Sequence, residues 1–175
     1  LPSAWIILLA SYRPLNHYAW SEQLLAPHYF VVLEKVIVRQ LIEVQEEQRL
    51  RSKIHKITTI TNKISKSVRD QYEQSPYPRW VNAGLYSTPL PIEKALENLD
   101  LNLNLNKQPF SKKPDILIAG CGTGQHALNT ASRFLNSNVL AIDLSLSSLS
   151  YAIRKTQELS VSTIDYMQAD ILKLN

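Results

Sequence analysis

The chain has 175 residues, 45% hydrophobic and 19% charged, with a net charge of +4. That balance suits a soluble globular protein with a real core and excludes a disordered chain. A single cysteine excludes an internal disulfide and any metal centre built on several cysteines, and it points to a reducing compartment, the cytoplasm. No metal is called for.

The chain lacks an initiator methionine and starts mid-pattern, as though something precedes it. AWIILLA (4–10) is about a third of the length a membrane span needs. It also lacks the basic start and the cleavage site of a signal peptide. It reads as a buried helix piece, with no membrane role. Pro2, Pro14 and Pro27 interrupt a segment rich in aromatics (Trp5, Tyr12, Tyr18, Trp20, Tyr29, Phe30). Short helices joined by turns are expected, with the rings as packing residues.

From Val31 to about Leu50, apolar residues recur at Leu33, Val36, Ile37, Leu41 and Val44 without Pro or Gly, which predicts an amphipathic helix. After Ser52 as N-cap, Ile54, Ile57, Ile60, Ile64 and Val68 keep helical steps and predict one apolar stripe. Thr58, Thr59 and Thr61 lower helix propensity and predict a break near Asn62. A further helix restarts at Ser65 or Ser67 and ends before Pro76. Arg49, Arg51, Lys53, Lys56, Lys63, Lys66 and Arg69 follow one another with no acid between them. Such a run is either a solvated helix face or a contact for phosphates, through which a nucleic acid or protein partner could bind.

SPYPRW (75–80) cannot be regular helix. Its two prolines present Tyr77, Arg79 and Trp80 from a stiff backbone, as a lid or as a hinge packed on the core. PIEKALENLD (91–100) reads as a short helix and LNLNLNKQ (101–108) as a linker. The expected organisation is a helical region with its proline-rich connector over 1–91, a short helix and linker over 92–113, and an α/β part over 114–175.

Beyond Pro114 the pattern becomes strand (ILIA), helix, strand (NVLAID, 138–143), helix capped by Ser145, and strand (STIDYMQAD, 162–170). This is a βαβ succession, which builds a parallel sheet with right-handed crossovers. Three of the chain's four glycines, Gly120, Gly122 and Gly124, fall in the first strand-to-helix turn. Glycine there permits positive φ and lets a ligand approach the backbone, while the next helix points free N–H groups at the same spot. Asp143 ends the second strand nineteen residues after Gly124. It is placed to accept both hydroxyls of a ribose, or to cap the following helix. Asp170 ends the third strand on the same edge, where it suits an adenine amino group with Ile171 flanking the ring. Gly122, Gly124 and Ala127 also match the G-x-G-x-x-A dinucleotide fingerprint, so an NAD(P)-binding Rossmann module is an alternative. A non-catalytic interaction protein using the basic helical region is a second one.

ILIAGCGTG, LAIDLS and MQADIL, in this order and spacing, resemble the three cofactor motifs of class I S-adenosylmethionine-dependent methyltransferases over residues 115–172. VRDQYEQSPYPRW (68–80) resembles the segment preceding the methyltransferase domain in bacterial tetratricopeptide-repeat/methyltransferase proteins. The resemblance implies a partial Rossmann-like parallel sheet after a helical N-terminal region. It implies S-adenosyl-L-methionine as cofactor and methyl transfer to an acceptor the sequence does not reveal. Gly120, Cys121, Gly122, Thr123 and Gly124 would line the methionine and ribose part, Asp143 with Leu144 the ribose, and Asp170 with Ile171 the adenine. Gln125 and His126 could touch the cofactor's carboxylate. His126 reads rather as a partly exposed helix residue than as a base, and Cys121 as a loop residue, not a nucleophile. The family often carries an acid where this chain has Ile118, which shifts that acid's task to backbone carbonyls or to a lid residue such as Tyr77. The family's fourth strand and acceptor loop would follow residue 175. The chain is therefore expected to be a fragment, inactive alone, with its catalytic residues not assigned.

Overall fold

The computed structural model describes residues 1–26, 28–97 and 111–174. The chain divides into two compact units, Leu1–Arg49 and Leu50–Asn175. Residues 50–91, expected with the helical N-terminal region, thus fold with the sheet. The expected linker LNLNLNKQ and the last three residues of PIEKALENLD lie outside the described residues.

The first unit is helical. Helix α1 (Ser3–Tyr12) leads through single 3-10 turns at Leu15–His17 and Ser21–Leu25 into α2 (Val31–Ile37). A π turn at Val38–Ile42 joins α2 to α3 (Glu43–Arg51). Leu33, Ile37 and Leu41 of the expected stripe are buried with Ile6, Leu15 and Leu24. The Gln40 amide satisfies two backbone groups there, accepting from Leu15 N–H at 2.9 Å and donating to the Ala10 carbonyl at 3.2 Å. Two expectations fail in this unit. AWIILLA is not a buried helix: Ile6 is its buried residue, while Trp5 is 58% and Leu8 47% exposed. Among the aromatics Tyr18 and Trp20 stack, but Tyr12 stands 85% exposed.

The second unit is an α/β layer. Its strands are β1 (His55–Lys56), β2 (Asp115–Ala119), β3 (Asn138–Asp143) and β4 (Ile164–Gln168), all parallel, in the order β1-β4-β3-β2. Its helices are α4 (Lys63–Gln74), α5 (Ile92–Glu97), α6 (Gln125–Arg133) and α7 (Leu146–Glu158). β3 is central, and its Val139, Ala141 and Ile142 are buried, as a strand covered on both faces requires. β2 pairs only with β3 among the described residues, so Leu117 is 54% exposed and Ile118 alone of ILIA is buried.

The predicted helical stripe over Ile54–Ile60 is overturned. The stretch is not helical, and its His55 and Lys56 add β1 to the free edge of β4. Ile57 N–H continues the pairing to the Gln168 carbonyl at 2.9 Å. Its isoleucines and threonines are β-branched and fit a pleated edge better than a helix. The helix that follows begins at Lys63, before Ser65 or Ser67, because Asn62 Oδ1 accepts from the N–H groups of Ile64 and Ser65 at 2.8 and 3.2 Å. It ends before Pro76, as expected.

α4 is tied to α7 through one carboxylate. Glu73 accepts from Leu146 N–H at 2.6 Å and from the Ser147 hydroxyl at 2.7 Å, and it pairs with Arg51 at 2.6 Å. A negative group on the first turn of α7 complements the helix dipole, while Ser145 supplies the N-cap by accepting from Ser148 N–H at 3.0 Å.

Candidate functional site

The turn between β2 and α6 is built on left-handed backbone. Gly120, Gly122 and Gly124 have φ of 75°, 52° and 82°. The N–H groups of Gly120 and Cys121 both donate to the Ile142 carbonyl at 2.9 Å, which anchors the loop over β3. Asp143 completes the cradle. Its Oδ2 accepts from Gly122 N–H and its Oδ1 from Ser145 N–H, each at 2.9 Å. Burial raises the Asp143 pKa above its usual value, and nearby Glu73 pushes the same way; the N–H donors of Ser145, Gly122 and Leu144 oppose them.

These residues surround a cavity of about 470 Å³, a size ordinary for a cofactor site. Gly120, Cys121, Gly122, Thr123, Asp143, Leu144 and Ile171 line it, as the sequence predicts, together with Gln125 and His126. Two predicted residues do not. Gly124 faces away: a Cβ there would lie 2.6 Å from Ala152 Cβ and 2.9 Å from Tyr166 Oη, so this glycine packs the loop against α7 and β4. Asp170 is 1% exposed and sits between two lining residues, Ala169 and Ile171. Its Oδ1 accepts from Leu172 N–H at 3.0 Å, and its Oδ2 has no partner among the described residues.

Sequence reasoning offered Tyr77 as a lid residue but missed the part of the roof that α4 supplies. Val68 and Tyr72 of α4, with Tyr77 and Pro78 of the connector, cover the cavity. The connector both borders the cavity and packs on the core. Thr123 Oγ1 donates to the Pro78 carbonyl at 2.6 Å, and Trp80 Nε1 donates to the Thr123 carbonyl at 3.0 Å. Trp80 packs edge-on to Tyr151, whose hydroxyl donates to the Trp80 carbonyl. Tyr77 remains 74% exposed over the opening. Ser148, also missed, lines the cavity from the first turn of α7. Ile118 lies in the apolar core, so no carboxylate stands at that position. Burial, then the neighbouring Asp143, raises the Cys121 thiol pKa, which leaves it protonated and unsuited to nucleophilic attack.

The basic run is partly neutralised by acids outside it. Arg49 pairs with Glu46, Arg51 with Glu73 and Arg69 with Asp70. Within the second unit, Arg51, Lys56 and Arg69 line another cavity of about 620 Å³ with Thr58, Thr59 and the acids Asp70 and Glu73. Residues 50–73 hold six Lys or Arg and two acids, which equals the net charge of the whole chain.

The fold and site define a Rossmann-like α/β unit in which the glycine loop, Asp143 and an aromatic roof line one cavity. Residues 116–175 match the family model described as methyltransferase domain. No curated protein matches the chain. Among solved structures, it is similar to a protein described by the conversion of a disulfide bond into a thioacetal group during echinomycin biosynthesis (29% identity, 61% of this chain and 40% of that one, TM-score 0.37). A Clostridium acetobutylicum S-adenosylmethionine-dependent methyltransferase shares 26% identity over 64% of this chain and 39% of its own, with a TM-score of 0.34. Coclaurine N-methyltransferase bound to N-methylheliamine and S-adenosylhomocysteine shares 18% over 100% and 48%, with a TM-score of 0.43. The chain thus spans less than half the length of each of these structures. No helix among the described residues is long and apolar enough to cross a membrane.

Proposed function

We propose that the cavity binds S-adenosyl-L-methionine and that the chain serves an S-adenosylmethionine-dependent methyltransferase. The observation that carries this reading is the pairing of Asp143 with the Gly122 N–H beneath an open cavity, beside a buried Asp170 that keeps one carboxylate oxygen unpaired. The residues fit the cofactor. Gly120 and Gly122 border the cavity without side chains, Asp143 offers acceptors to a ribose, and Ile171 lines the cavity next to the buried Asp170. The match of residues 116–175 to a methyltransferase domain supports the same reading.

When bound, S-adenosylmethionine supplies a methyl group on a sulfonium, open to direct displacement by a nucleophile. The chain's own part is to hold the ligand and exclude water, with Tyr77 and Pro78 as the cover. The connector's likeness to bacterial tetratricopeptide-repeat/methyltransferase proteins belongs to this proposal, as does a cytoplasmic location, supported by the single buried cysteine. Calorimetric titration tests it. Saturable binding of S-adenosylhomocysteine with none of NAD is expected, and the reverse preference would establish the dinucleotide alternative.

A second reading concerns the cavity lined by Arg51, Lys56 and Arg69. We infer that it contacts the phosphates of a nucleic acid partner. The expected signature is affinity for a single-stranded RNA that falls with salt, with a log–log slope of about −0.7 to −2 for one to three phosphates. A flat salt response would remove this reading.

A further inference from the structure

Ser75, Pro76 and Tyr77 join the end of α4 to Pro78 across the border of the cavity. On the α4 side, Glu73 accepts from Leu146 N–H and the Ser147 hydroxyl and pairs with Arg51. On the far side, Trp80 is buried with Ala83, Leu128 and Tyr151, and its indole donates to the Thr123 carbonyl at 3.0 Å. The backbone between these anchors is a strap. Tyr77 and Pro78 line the cavity from it, and Tyr77 is largely exposed.

The strap's tie to the glycine loop is weaker than its anchors. The Glu73 carboxylate makes charge-assisted bonds to a helix N-terminus and to an arginine. The strap itself is held by a neutral bond, from the Thr123 hydroxyl to the Pro78 carbonyl at 2.6 Å. Thr123 is 2% exposed, its carbonyl is held by Trp80, and its β-branched side chain is stiff at χ1. Its hydroxyl therefore stays aimed at the strap. Prolines at 76 and 78 fix φ at two positions, so the strap has few ways to flex within itself. It opens by leaving Thr123. Because this bond joins protein to protein and not protein to ligand, weakening it eases entry and exit alike.

We propose that Thr123 is a positioning residue that latches the strap 75–78 over the cavity, so that this hydrogen bond sets how fast the ligand enters and leaves without setting how tightly it binds. This rests on the S-adenosylmethionine reading of the cavity. It gives a residue of the glycine loop a kinetic role through a connector that lies outside the matched residues 116–175.

The test measures association and dissociation rate constants for S-adenosylhomocysteine by surface plasmon resonance on the full chain. Thr123→Val keeps the side chain's shape and removes the hydroxyl. Both rate constants should rise together by about 3- to 10-fold, the worth of one neutral hydrogen bond, with the dissociation constant held within about twofold. Thr123→Ser keeps the hydroxyl and should keep both rates near those of the wild type. Pro76→Gly loosens the strap at a residue that does not line the cavity, and should raise both rates at least about twofold. A rise in dissociation alone in Thr123→Val would make the hydroxyl a direct ligand contact and overturn the proposal. Unchanged rates in either Thr123→Val or Pro76→Gly would also overturn it, and the glycine variant keeps it refutable even if the valine variant does not fold. These outcomes leave the cofactor reading standing, whereas a wild type that does not bind S-adenosylhomocysteine would overturn the methyltransferase reading beneath it.

Discussion

Replacing Asp143 by alanine is expected to lower affinity for S-adenosylhomocysteine by at least about 100-fold. The carboxylate is placed to accept ribose hydroxyls, and hydrogen bonds to a charged group contribute roughly 1.5–3 kcal/mol each. Two such bonds account for the expected loss. The substitution also leaves the Gly122 and Ser145 N–H groups without their acceptor, so the loop loses its anchor to the end of β3. Asp143→Asn separates the two effects. It retains one acceptor and should give an intermediate affinity with the fold preserved, as read by calorimetry beside a thermal melt. Undiminished binding in Asp143→Ala would remove Asp143 from the site.

The same carboxylate predicts a pH dependence with opposite signs for binding and folding. Burial raises its pKa in the folded chain above the usual 3.8. Its protonated form is therefore the one the fold favours. The contribution to stability is fully present below 3.8 and is lost as pH rises through the raised folded value. Ribose hydroxyls, however, donate to the ionised form. Acidification through that range should weaken ligand binding while this group, by itself, adds to the stability of the free chain. Titrations across that range should thus show binding lost on acidification without any unfolding attributable to Asp143.

The second half of the chain was largely legible in the sequence because its signals are local. Apolar runs of strand length, glycines needing positive φ and Ser145 as a cap each act within a few residues, and NVLAID is observed as the strand Asn138–Asp143. Where the reading failed, distant groups decide. Ile54, Ile57 and Ile60 have helical spacing, but the edge of β4, more than a hundred residues later, pairs with His55 and Lys56 between them and the stretch does not form a helix. A period of three in so short a stretch cannot outweigh β-branched residues next to an unpaired edge. The α4 part of the roof was missed for a related reason. Val68 was counted in a core stripe, and Tyr72 carries no motif, yet α4 presents both to the cavity. The sequence also treats the three glycines alike, although their missing side chains point to different neighbours.

That difference gives the largest expected effect on stability. Gly124→Ala should destabilise the second unit by about 2–5 kcal/mol, the sum of left-handed backbone strain of roughly 1–2 kcal/mol and overpacking of roughly 1–3 kcal/mol. The new Cβ would lie 2.6 Å from Ala152 Cβ and 3.2 Å from Ala152 Cα. Ala152 is fully buried in α7, so the helix must shift as a body. Tyr166 Oη, 2.9 Å away, cannot yield without disturbing its 2.9 Å contact with Thr156 Oγ1. Gly120→Ala meets no atom within 4 Å, and Gly122→Ala only the Tyr77 carbonyl at 3.9 Å. Those two carry the strain without the clash and should cost about 1–2 kcal/mol each. Their added methyl groups border the cavity, so their main effect should be on ligand affinity, while Gly124→Ala acts through the fold. Thermal melts of the three variants, followed by titrations of those that remain folded, separate the roles. An equal fall in melting temperature for all three would mean that the contact between the glycine loop and α7 does not govern the packing of the unit.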